Sequence, residues 1–143
     1  MKLATSISVL SHDQHEITKG VFGWLESPRA QDVSLDCVLV SGWTFSRTSR
    51  VIEISARISG RRQSVQYGLR RDDVKAAYPT DAGACNSGFL AFFENENPSF
   101  RPGHLEVWAR LEDGRDVRLF ARRLTTLRRR LSRSWLYCGT GLN

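Results

Sequence analysis

The densest chemistry in the chain lies between Tyr67 and Phe89, where the stretch YGLRRDDVKAAYPTDAGACNSGF holds an arginine pair, an aspartate pair, a tyrosine, a cysteine and an asparagine. Paired carboxylates suggest acid and base catalysis, but Asp72 and Asp73 are adjacent. On a helix their side chains diverge by about 100°, so they cannot flank a bond as glycosidase carboxylates do. An aspartate just ahead of an apolar helical run predicts an N-cap instead. Cys85 and His104 are the types of a nucleophile and its base; without a glycine elbow or oxyanion signature, Cys85 reads as a buried or incidental thiol. His12 and His15, with Asp13 between and Glu16 after, could ligate a metal if helical. No third cluster matches them, which leaves a solvated terminal segment. No catalytic activity, metal or cofactor is expected.

Two further groups suit binding. One strand face would carry Trp108, Phe120, Arg110 and Arg118, with Arg122 beyond, interleaving aromatic and guanidinium groups. That composition stacks on sugar rings or bases and pairs with phosphate or carboxylate. Against this stands plain packing of the aromatics under the N-terminal segment, the tail or a neighbouring subunit. The second group is the tail, with Arg128, Arg129, Arg130 and Arg133 as candidate polyanion contacts. The net charge is +6, from 21 basic and 15 acidic residues. Those four arginines with Arg122 and Arg123 make up the whole excess, so attraction to nucleic acid or an anionic membrane belongs to this end. Leu124, Leu127, Leu131 and Trp135 recur there at helical spacing, the pattern of an amphipathic basic helix.

The elements that must position these residues are strands. Alternation with period two recurs, and helical periodicity is scarce. In VIEISARISG, Ile52, Ile54, Ala56 and Ile58 fall on one face, and after SGRR the pattern resumes with Val65, Tyr67 and Leu69. Further strands are expected in ITKGVFGWLE, LDCVLVSGWTFS and GFLAFFE. Leu105, Val107, Ala109 and Leu111 face Val117, Leu119 and Ala121 across a hairpin whose three-residue turn, Glu112 to Gly114, needs a positive φ at Gly114. Between strands, Val74, Ala77 and Tyr78 form one face of a short helix that Pro79 stops.

About seven strands without βαβ crossovers point to an all-β fold, an immunoglobulin-like β-sandwich with one short helix in a connection and a basic C-terminal tail. The expected divisions are an N-terminal segment 1–19, a sandwich 20–124 and a tail 125–143. Three cysteines, Cys37, Cys85 and Cys138, with no CxxC pair suggest a reducing compartment. The N-terminal apolar run is too short for a signal peptide or a membrane span, so a cytoplasmic location is expected.

SGWTFS, VIEISARISG, the R-x-D-V of Arg71, Asp73 and Val74, Tyr78-Pro79 and the NSGF of Asn86 to Phe89 together resemble small bacterial Ig-like modules found beside glycosyltransferase and methyltransferase domains. The resemblance covers roughly residues 20–124. It implies a non-catalytic accessory module of surface polysaccharide or glycoconjugate biosynthesis, whose partner is a glycosyltransferase, another polysaccharide-biosynthesis protein or the glycan. The competing expectation is a small nucleic-acid or anionic-membrane binder acting through its tail.

Overall fold

The structure is a computed structural model and describes residues 15–29, 32–34, 37–94 and 103–127. His12, Asp13 and the tail arginines Arg128, Arg129, Arg130 and Arg133 lie outside these residues. The strands are β1 (Glu16–Thr18), β2 (Val21–Ser27), β3 (Asp32–Ser34), β4 (Cys37–Ser46), β5 (Val51–Ile58), β6 (Arg61–Leu69), β7 (Gly88–Glu94), β8 (His104–Leu111), β9 (Asp116–Arg123) and β10 (Thr125–Leu127). One helix, α1 (Asp72–Ala77), and a 3₁₀ turn (Ala82–Ala84) fill the connection from β6 to β7. The all-β expectation holds. Eight strands form one antiparallel sheet in the order β1-β2-β4-β7-β6-β5-β8-β9, and β3 and β10 pair in parallel beside it. The sheet is nearly closed on itself. No helix among the described residues is long and apolar enough to cross a membrane.

Alternation explains the two cores. Val38 and Val40 of β4, Ile54, Ala56 and Ile58 of β5, Leu105, Val107, Ala109 and Leu111 of β8, and Phe89, Ala91 and Phe93 of β7 fill the interior. The opposite face of β2 and β4 carries Phe22, Trp43 and Phe45, and the β6–β7 connection covers it with Val74, Tyr78 and Ala84. Phe45 meets Tyr78 edge-on at 5.1 Å, and Phe22 stacks on Phe45 at 5.4 Å. Such pairs add about 0.5–1.5 kcal/mol each to the area they bury. Tyr78 packs as the sequence predicts, and α1 ends at Ala77 ahead of Pro79.

Three expected faces are broken by bulges, each of which inserts one residue and exchanges inside for outside beyond it. Between Val51 and Glu53 the register with β8 slips, so Val51 is buried and Ile52 is exposed. In β6, Gly68 at φ 93° is the inserted residue, and Leu69 pairs with Gly88, away from the interior side of Tyr67. In β9, Trp108 pairs with Arg118 and Val107 with Phe120, which leaves Leu119 as the extra residue. Beyond it Ala121, expected inside, is exposed, while Phe120 packs on the interior core. The hairpin turn is as predicted, with Gly114 at φ 96°.

Candidate functional site

The outer face of β6, β5, β8 and β9 is built in cross-strand rows. Two residues, Ser59 and Gly60, turn β5 into β6 with positive φ at both, which seats Ile58 opposite Arg61 and Arg57 opposite Arg62. The next row is Ser64, Ser55, Trp108 and Arg118, and the one after runs from Glu53 through Arg110 to Asp116. Within these rows lies a concavity of about 250 Å³ bordered by Ser55, Arg57, Arg62, Trp108 and Arg110.

Glu106 fixes the indole. Its carboxylate accepts from Trp108 Nε1 at 3.3 Å and from Arg118 Nη1 at 3.3 Å, which holds the ring edge and leaves Trp108 half-buried at the concavity. Arg110 donates to Asp116 through Nε at 3.0 Å and lies 3.8 Å from Glu53. The hydrogen bond from Arg110 holds the Asp116 carboxyl below its usual range, with more distant Arg62 and Arg57 adding to the effect. The face therefore offers a flat aromatic ring among fixed donors. It can stack and hydrogen-bond.

The structure brings three of the four sequence-predicted ligand residues together here, Trp108, Arg110 and Arg118. It separates Phe120 from them. The bulge at Leu119 turns Phe120 to the other side of β9, where its ring lies 6.2 Å from that of Phe89 and within the reach of a side chain added at Gly23. Arg122 turns with it and donates to the backbone carbonyls of Pro28 and Arg29. The shared face of Trp108, Phe120 and Arg122 is thus corrected: the first stands outside, the other two at the junction of the sheet's ends. That junction, between β9 and β1 with β2, is a cleft of about 200 Å³ containing Ile17, Gly23, half-exposed Trp24 and Phe120.

The aspartate pair is also corrected. Arg71 occupies the N-cap of α1, no side chain caps the helix, and Asp72 and Asp73 are its first two residues. Asp73 instead grips Arg71 through two hydrogen bonds of 2.7 and 2.9 Å. Glu26, the bulged residue of β2, takes the same guanidinium at 2.8 and 3.0 Å. Charge-assisted forks of this kind are the strong ones. Arg71 holds the Asp73 carboxyl below its ordinary value, and Asp73, then Glu26, raises the guanidinium. His15 is buried, not solvated, with Nδ1 2.7 Å from the Tyr78 hydroxyl. Cys85 lies in the turn before β7, where its carbonyl accepts from the Arg71 amide, and His104 opens β8 beside Arg123.

No protein-family model and no curated protein matches this chain. The site is consequently defined by its own residues. Sequence reasoning missed Arg57 and Arg62, although the two-residue turn at Ser59-Gly60 places them opposite each other. It also missed the exposed apolar row of Leu39, Leu90 and Phe92 on β4 and β7, where Leu39 stands opposite Phe92. Those three alternate with interior residues in an apolar run, so no polarity change marks them as outward.

Proposed function

We propose that this protein is a non-catalytic binding module that recognises glycans of surface polysaccharide or glycoconjugate biosynthesis, or serves the glycosyltransferase that makes them. The observation that carries this reading is Trp108, clamped by Glu106 at the edge of a concavity whose other polar groups are the guanidiniums of Arg57, Arg62 and Arg110, the carboxylates of Glu53 and Asp116, and Ser55. A ring held at its N–H edge keeps a face for the apolar side of a pyranose, and arginine forks suit the hydroxyl pattern. The immunoglobulin-like kinship is part of the proposal. Its support is the R-x-D-V and NSGF resemblance, together with β6, which pairs first with β5 and then with β7 and so joins two layers at one corner strand.

A shallow face buries little of a sugar, so dissociation constants near the millimolar end, about −4 kcal/mol, are expected. On a glycan array, Trp108→Ala should abolish the signal. A signal indifferent to Trp108 would remove the sugar-binding reading. The competing reading, polyanion binding through Arg128, Arg129 and Arg130, is favoured by the charge excess at that end of the sequence. It predicts steep weakening with salt and indifference to Trp108.

A further inference from the structure

Arg57 and Arg62 stand directly opposite each other on the outer face. Cross-strand neighbours in an antiparallel pair have Cβ atoms about 4.5–5.5 Å apart, and like charges there are destabilising. Both residues are exposed, and neither has a carboxylate within ion-pair distance among the described residues. Glu106 is the carboxylate nearest in register, opposite Arg57, but it is occupied by Trp108 and Arg118. Around the concavity four guanidiniums, Arg57, Arg62, Arg110 and Arg118, therefore face three carboxylates, Glu53, Glu106 and Asp116. One positive charge is left over, at the two residues that form no ion pair among the described residues and act on Asp116 only from a distance.

We infer that the ligand of this face is an acidic sugar, whose anionic substituent is chelated by Arg57 and Arg62 while its ring lies on Trp108. The inference rests on the glycan-binding reading and narrows it from sugars in general to those carrying one negative group. Neutral substituents would leave the two guanidiniums without an ion-paired anion. A carboxylate, sulfate or phosphate accepts from both forks at once and removes the repulsion that the free face tolerates.

The test uses the full chain and titrates, by calorimetry or ligand-observed NMR, a uronate-containing oligosaccharide, its carboxyl-reduced neutral counterpart, a sulfated counterpart and inorganic phosphate. The acidic oligosaccharides should bind about tenfold more tightly than the neutral one, the preference that hydrogen bonds to a charged group supply. Arg57→Gln with Arg62→Gln should remove that preference and keep the neutral sugar's affinity, while Trp108→Ala loses both. The double glutamine variant should melt no lower than the wild type, since it relieves repulsion. A lower melting temperature would make the arginines structural and overturn the inference. Equal binding of acidic and neutral sugars overturns the acidic ligand alone and leaves the module reading intact; binding of neither overturns both. Phosphate binding as tightly as the acidic sugars, indifferent to Trp108, would show an anion site without a sugar platform.

Discussion

Arg71 is the residue at which two distant pieces of sequence meet. Its side chain is 17% exposed, and its guanidinium holds Asp73, two residues on, and Glu26, 45 residues back. Removing one partner of a buried pair costs about 3–5 kcal/mol, and partial exposure brings the expectation here to roughly 2–3 kcal/mol for Arg71→Met. Arg71→Lys should fall between, because an ammonium keeps the charge and loses the fork. Urea unfolding of the two variants measures both. A loss equal to that of Arg71→Met in the lysine variant would mean that the fork, not the charge, is what counts. In sequence, R-x-D was legible as a pair of charges, yet the local rule assigned the aspartate to the helix end. Arg71 itself takes the N-cap position and draws the Asp73 carboxylate to its guanidinium, which also binds Glu26, a residue only the tertiary fold brings near. Two tyrosines make a second prediction at this scale. Burial raises the hydroxyls of Tyr67 and Tyr78 to about 12 from the model-peptide 10, and favours their neutral form. Their contribution is thus fully present below pH 10 and is lost as pH rises towards 12. Thermal melts should be insensitive to these groups up to pH 10 and fall beyond it, and Tyr67→Phe should make the fall shallower.

Among the elements, the strands themselves were readable and their inserted residues were not. Period-two alternation places Ile54, Ala56, Leu105 and Val107 correctly, because the β5–β8 ladder that holds them is unbroken from Glu53 to Ile58. It fails at Ile52 and Phe120, since a bulge is a backbone event whose residue need carry no sign of it. Gly68 alone announces its bulge, as a glycine within a strand pattern often does. Two isoleucines two residues apart therefore separate the readings. Ile54→Ala should cost about 2–5 kcal/mol, the range for a buried isoleucine, and Ile52→Ala should stay within about 0.5 kcal/mol. Equal losses would return Ile52 to the interior and deny the bulge. The same slip is why only part of the candidate site was visible beforehand: Trp108, Arg110 and Arg118 precede or border the insertion, and Phe120 follows it.

The two ends of the sheet meet through side chains between β9 and β1 with β2, and just beyond that seam through the short parallel ladder of β10 with β3, which follow β9 and β2. β9 is bonded to β8 on one edge, and across its other edge lie β1, three residues long, and the free part of β2. Phe120 and Arg122 span that distance, the first by packing and the second by donating to the carbonyls of Pro28 and Arg29. In time this makes the sheet a ring with a known place to begin opening. Among the described residues, parting there breaks only the short β3–β10 ladder. Amide hydrogen exchange should accordingly run in a fixed order: β1 and the far half of β9 first, β5 and β7 last, at the rate of global unfolding. Arg122→Ala should advance the first group and leave the last unchanged.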